Sequence, residues 1–170
     1  MKKLLILFAS ILIIYSCTKE EIVTRETFIG YWVGDITTDV YMNDTIYSSL
    51  SGESLYTGMT ISEGIEEDII IIDEGEEGEV FCQIDGNKFK SLENQYAYFD
   101  MNDGSQTTAS VLVEGSYNDE EINISYEYSY TTRGNPVRIV SSGTVTKSKA
   151  VQKSVKKIMV SPNKINEIIN

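Results

Sequence analysis

The 170-residue chain contains no histidine. That removes together the commonest general base and the commonest metal ligand. Two prolines and twelve glycines are too few for collagen-like or Pro/Gly-rich low-complexity behaviour. Basic residues are also scarce, with 14 Lys and Arg against 26 Asp and Glu, a formal net charge of −12. A surface of that sign repels DNA, RNA and anionic headgroups, so nucleic acid is excluded as a partner class. What is present is ordinary for one domain: 41% hydrophobic and 24% charged residues in 19.1 kDa.

The first residues are basic, Met1-Lys2-Lys3, and residues 4–15 form an almost unbroken apolar run. Twelve helical residues cover about 18 Å, well short of the roughly 30 Å hydrocarbon core, so the run is a secretory signal and not a span. It ends in Ile14-Tyr15-Ser16-Cys17, which resembles the lipobox of bacterial lipoproteins. That resemblance implies diacylglycerylation of the Cys17 sulfur, removal of residues 1–16 and acylation of the new amino terminus. Two or three acyl chains suffice for stable anchoring where one does not. An ordinary secretory signal that ends near a cysteine is the alternative. The next residues, Thr18-Lys19-Glu20-Glu21, resemble the surface-export signal of lipoproteins in the Bacteroidota. Outer-membrane attachment with outward display is therefore expected, against retention on the periplasmic leaflet. Residues 17–27 are the expected lipidated tether.

Loss of residues 1–16 leaves 12 bases against 26 acids, a net charge of −14. It also leaves one cysteine besides Cys17, so no internal disulfide is possible. Cys82 falls in an alternating pattern with Val80 and Ile84 and has Glu79 and Asp85 nearby. A small buried hydrophobe fits that setting better than a reactive thiol, which wants electropositive neighbours.

From Tyr31 onward the period is two. Trp32, Gly34, Ile36, Thr38, Val40 and Met42 share one face, and the wetter set Tyr31, Val33, Asp35, Thr37, Asp39 and Tyr41 shares the other. Leu55, Thr57, Met59 and Ile61 repeat the pattern. Short apolar runs follow at 69–72, 80–84 and 96–99, with Asp85-Gly86-Asn87 and Asn102-Asp103-Gly104 as hairpin signals. Ala109, Val111 and Val113 precede the turn at Asn118-Asp119-Glu120. Ile122, Ile124, Tyr126, Tyr128 and Tyr130 then alternate most cleanly of all, and a last strand runs over 137–147. These segments make eight or nine strands at spacings of about ten residues. The fold class is all-β, an antiparallel up-and-down meander. Closure into a barrel removes its edges, whereas a two-sheet sandwich needs crossovers that are not evident.

Phe28-Ile29-Gly30-Tyr31-Trp32 puts a Gly-x-Trp at the entrance to the first strand. This resembles the lipocalin superfamily, and more closely the small lipocalin-like lipoproteins of the Bacteroidota. A second feature of those lipoproteins recurs in Val113-Glu114-Gly115-Ser116-Tyr117, a turn, and then Ile122-x-Ile124-x-Tyr126-x-Tyr128. The resemblance implies a lipocalin-like barrel over residues 28–148, in which the glycine lets the chain cross the closed end and Trp32 packs inward as its floor. It also implies a basic residue of the last strand lying over that indole. Arg138 is the first candidate and Lys147 the second. No other lipocalin signature motif is matched.

Charge is unevenly distributed. Residues 18–132 hold 25 acids and four bases, whereas residues 133–170 hold eight bases and one acid, Glu167. The basic tail, 149–170, places Val151, Val155, Ile158 and Met159 at helical spacing among Lys149, Lys153, Lys156 and Lys157, and Pro162 stops any helix. It reads as a surface segment on anionic lipid, a strap on the acidic barrel, or a frayed end. The acid-rich stretch at 66–79 and the Asp100-Met101-Asn102-Asp103-Gly104 segment miss the spacing of a calcium loop and read as turns. With no nucleophile motif, neither a catalytic residue, a metal site nor a cofactor is expected.

Tyr126, Tyr128 and Tyr130 share a face that either fills the barrel or presents a ladder for sugars or protein. Trp32, these tyrosines and Arg138 are therefore the candidate interior or ligand-contacting residues, and Cys17 is the lipidation site. The expected protein is a monomeric, outer-membrane-anchored lipoprotein without catalytic activity. Its role is in binding, with a small apolar molecule, a glycan or a protein as partner. The alternative is an accessory envelope lipoprotein whose packed barrel takes no small ligand.

Overall fold

A computed structural model describes residues 22–73, 78–100 and 106–149, with Asp100 described in its backbone only. The signal, Cys17 and the tail beyond Lys149 lie outside the described residues. So do residues 74–77 of the acid-rich stretch and residues 101–105, where the sequence pattern called for a turn.

One helical turn, α1 (Arg25–Phe28), precedes ten strands. They are β1 (Gly30–Met42), β2 (Thr45–Ile46), β3 (Glu53–Glu63), β4 (Ile69–Asp73) and β5 (Glu79–Asp85), then β6 (Lys88–Ser91), β7 (Gln95–Asp100), β8 (Gln106–Asn118), β9 (Glu121–Thr132) and β10 (Asn135–Lys147). Eight of them form a closed antiparallel ring in the order β10-β9-β8-β6-β5-β4-β3-β1, and β10 pairs back onto β1 from Trp32↔Lys147 to Met42↔Val137. This is the up-and-down barrel that the alternation called for. The two extra strands are local: β2 folds back on the end of β1, and β7 pairs with the first half of β8. The second half of β8 pairs with β6, so β6 and β7 act as one strand broken at residues 92–94, where Asn94 turns with φ 61°.

Closure needs two strand backbones to approach tightly at the β1–β10 seam. Gly34 and Gly143 permit it, because a β-carbon at either would sit on a carbonyl oxygen of the other strand, Thr144 or Asp35. Burial follows the sequence alternation. Trp32, Ile36, Thr38 and Val40 on β1 point inward, as do Met59 and Ile61 on β3 and Ile122 to Tyr130 on alternate positions of β9. Cys82 is among these interior residues, fully buried as the pattern required.

Candidate functional site

One end of the barrel is sealed. Thr24 N–H donates to Thr27 Oγ1 at 3.2 Å as α1 begins, and the turn delivers Phe28 into the lumen. Phe28 meets Phe89 and Tyr117 edge-on at 5.6 and 6.1 Å. Gly30, at φ 143°, then swings the chain into β1, a conformation that side-chain-bearing residues avoid. The Trp32 ring closes the floor, with Nε1–H donating to the Phe28 carbonyl at 2.7 Å and Tyr117 edge-on at 6.4 Å. The basic residue over the indole is Lys147, its Nζ 5.4 Å from the ring centroid. The same ammonium donates to Thr27 O at 3.1 Å and Glu26 O at 3.5 Å, so it also serves the carbonyl end of α1.

Arg138, the first candidate for that place, is elsewhere. It lies on the outer wall towards the other end of β10, over the Tyr41 ring at 4.4 Å and paired with Glu127 at 3.4 Å. The reason is register. Tyr41 is the β1 partner of Arg138, whereas Trp32 is the partner of Lys147, nine strand positions away.

The tyrosines of β9 fill the lumen. Tyr126 and Tyr128 are fully buried and stack at 6.5 Å, and Phe99 from β7 meets Tyr128 edge-on at 6.1 Å. The Tyr126 hydroxyl crosses the barrel to donate to Met59 Sδ on β3 at 2.9 Å. A hydroxyl pair, Thr38 Oγ1 and Ser141 Oγ, lies buried between β1 and β10 at 2.8 Å. Tyr130, one step nearer the opposite end, differs from its neighbours. It is 6% exposed, yet its hydroxyl has no hydrogen-bond partner. Burial raises its pKa well above the ordinary value of 10.0.

A broad concave feature of the described residues is on the outside. A groove of about 690 Å³ crosses five strands, β5, β6, β8, β9 and β10. Its walls are two rows of register partners. One row runs Asp85, Lys88, Ser116, Asn123, Thr144, and the other runs Gln83, Lys90, Glu114, Ser125, Ser142. Between them the inward-facing Phe89, Gly115, Ile124 and Gly143 leave mainly backbone as the floor. Five strands at about 4.8 Å make a trough some 19 Å long.

Its electrostatics set it apart. Lys88 and Lys90 are the only lysines between residues 20 and 146, and both lie here. Asp85 and Glu114 balance them, so the trough is formally neutral on an acidic body. Lys90 pairs with Glu114 at 2.6 Å, both side chains more than half exposed. Lys88 forms no ion pair among the described residues. Thr144 Oγ1 donates to Asn123 Oδ1 at 2.8 Å, which leaves the Asn123 amide hydrogens for another acceptor. The trough therefore offers ammonium and amide donors beside carboxylate and hydroxyl acceptors, around a floor that includes Phe89 and Ile124. Sequence reading missed it. The available signal was two lysines two apart on an otherwise acidic strand region, with small polar residues recurring on the outer faces of β8 to β10.

No family model, no curated protein and no solved structure matches this chain.

Proposed function

We propose that this protein is an outer-membrane lipoprotein held by acyl chains on Cys17, and that it acts without catalysis as an interaction module. Its contact surface is the outer trough, and its partner is a hydroxyl-rich chain of the glycan class. The trough itself carries the reading: two rows of hydrogen-bonding side chains cross five strands where the acidic body is locally neutral. Neutrality avoids the repulsion that the rest of the surface exerts on anionic partners. Alternating donors and acceptors along both walls suit hydroxyls. The filled lumen supports the same choice, because Tyr126 and Tyr128 occupy the place that a small apolar cargo would need.

The test has two arms. Metabolic labelling with a clickable fatty acid reports acylation, and Cys17→Ala abolishes the label if the anchor is as proposed. Titration against soluble envelope polysaccharides reports binding, and Ser125→Trp blocks the trough from outside the core. Loss of binding by tenfold or more with an unchanged unfolding midpoint is expected. Equal binding by parent and variant removes the trough from the contact.

The packed lumen also favours a second reading, an accessory lipoprotein that takes no small ligand. Native mass spectrometry separates it from a ligand carrier: a small molecule that co-purifies and is lost on denaturation contradicts a filled barrel.

A further inference from the structure

We infer that the glycan path does not end at the trough but climbs the outer wall along β8 to an aromatic platform, Tyr96 and Tyr98, which selects uncharged pyranose chains. The inference rests on the trough as the proposed contact and deepens it, naming the sugar class and a second subsite.

Alternation and register build the platform. Ala97 and Phe99 of β7 turn into the core, so Tyr96 and Tyr98 turn out, on one face and about 7 Å apart along the strand. They are 53% and 63% exposed, whereas Tyr126 and Tyr128 of β9 are fully buried. The pair of rings that can stack on sugars thus stands on β7, not β9. Its partners across the sheet carry hydroxyls: Ser110 beside Tyr96, Thr108 beside Tyr98, and Ser129 beyond Ser110 on β9.

A second groove, of about 340 Å³, joins the platform to the trough. Lys90 lines both hollows, and Ser110, the partner of Tyr96, lines the second. From Glu114 in the trough to Thr108 beside Tyr98 is six positions on β8, about 20 Å. That is the length of an oligosaccharide and not of a single sugar.

Charge narrows the ligand. Lys90 pairs with Glu114, and Glu127 with Arg138. Among the described residues Glu93 is then the charged group lining the second groove that lies outside an ion pair. A lone carboxylate accepts hydroxyl protons and repels carboxylate, sulfate or phosphate groups. Tyrosine rings pack on flat C–H faces with their hydroxyls in water, and an uncharged pyranose offers such a face beside its own hydroxyls. A protein partner fits less well. The exposed apolar groups Tyr96, Tyr98, Leu92 and Leu112 lie among hydroxyl side chains, without the continuous apolar centre of a stable protein interface.

The probe is the mature chain with Cys17→Ser, which can carry no acyl group, run through native gels that hold uncharged polymers (dextran, soluble starch, galactomannan or glucomannan) or the polyuronates alginate and polygalacturonate. Retardation by at least one uncharged polymer and by neither polyuronate is expected. Y96A/Y98A lowers that affinity by about twentyfold with the circular dichroism of the parent, since both rings are exposed. Y96F/Y98F keeps the ring faces and binds within about threefold of the parent. Equal retardation by polyuronates, a double-alanine variant that binds like the parent, or no binding to any polysaccharide, whatever polypeptide the chain takes instead, overturns the inference. Ser125→Trp separates the two readings. If it binds like the parent while Y96A/Y98A loses affinity, the trough falls and the platform stands without it; if it alone loses affinity, the platform falls and the trough stands.

Discussion

The two ends of the barrel solve the same problem differently. At the sealed end, aromatic rings close the lumen and the polar atoms among them are partnered: the indole N–H by Phe28 O, the Lys147 ammonium by two carbonyls and a ring face. At the opposite end a buried phenol, Tyr130, is left without a partner. The sealed end is built mostly from a short stretch, Thr24 to Trp32, whose geometry is local. The opposite end is assembled from the tips of distant strands, with Asn43 N–H reaching the Pro136 carbonyl at 3.0 Å and Asn43 Nδ2 reaching Asn135 Oδ1 at 3.1 Å. A local motif can satisfy its own polar groups, whereas strand tips satisfy theirs only as far as register allows.

Breaking the sealed end gives the largest effect. Trp32→Ala removes a fully buried ring and orphans the Phe28 carbonyl, at a cost of about 3–5 kcal/mol. Urea unfolding measures it, and a loss below about 1 kcal/mol contradicts a floor role.

Lys147→Met comes next. It keeps the apolar stem over the indole but loses the ammonium, with an expected cost of about 1 kcal/mol because the head group is solvent-exposed. Arg138→Met, on the outer wall, costs less than Lys147→Met. The reverse order contradicts the assignment of Lys147 to the floor.

Tyr130→Phe is the smallest and the most diagnostic change. Removal of a hydroxyl that has no partner leaves stability at pH 7 unchanged or raises it by about 1 kcal/mol. The alkaline side follows by linkage. In the unfolded chain the phenol ionises near pH 10, while in the fold burial holds it protonated to higher pH. The folded state therefore binds the extra proton above pH 10, and stability falls as pH rises through that range. Tyr130→Phe removes this loss, so its advantage over the parent grows by about 1.4 kcal/mol between pH 7 and pH 11. Denaturant midpoints at the two pH values read it directly, and a constant gap would mean that the phenol is hydrated in the fold.

Much of this was legible in the chain itself. The period of two from Tyr31 onward assigned the inward faces of β1, β3 and β9 correctly, because a pleated strand sends alternate side chains to opposite sides whatever its neighbours are. Turn residues such as Asp85-Gly86-Asn87 marked the β5–β6 hairpin for an equally local reason. The resemblance carried by the Gly-x-Trp entrance implied Trp32 at the floor, and the alternation of β9 put Tyr126 and Tyr128 on one face, which the closed sheet turns inward. What alternation cannot supply is register: which residue of one strand stands beside which residue of the next. That choice put Lys147 and not Arg138 over the indole and brought the two chain exits to one end. It also left the Tyr130 hydroxyl alone and aligned polar side chains from five strands into one trough. Face is a property of each strand; register belongs to the closed sheet, where the tight β1–β10 seam at Gly34 and Gly143 fixes how all eight strands meet.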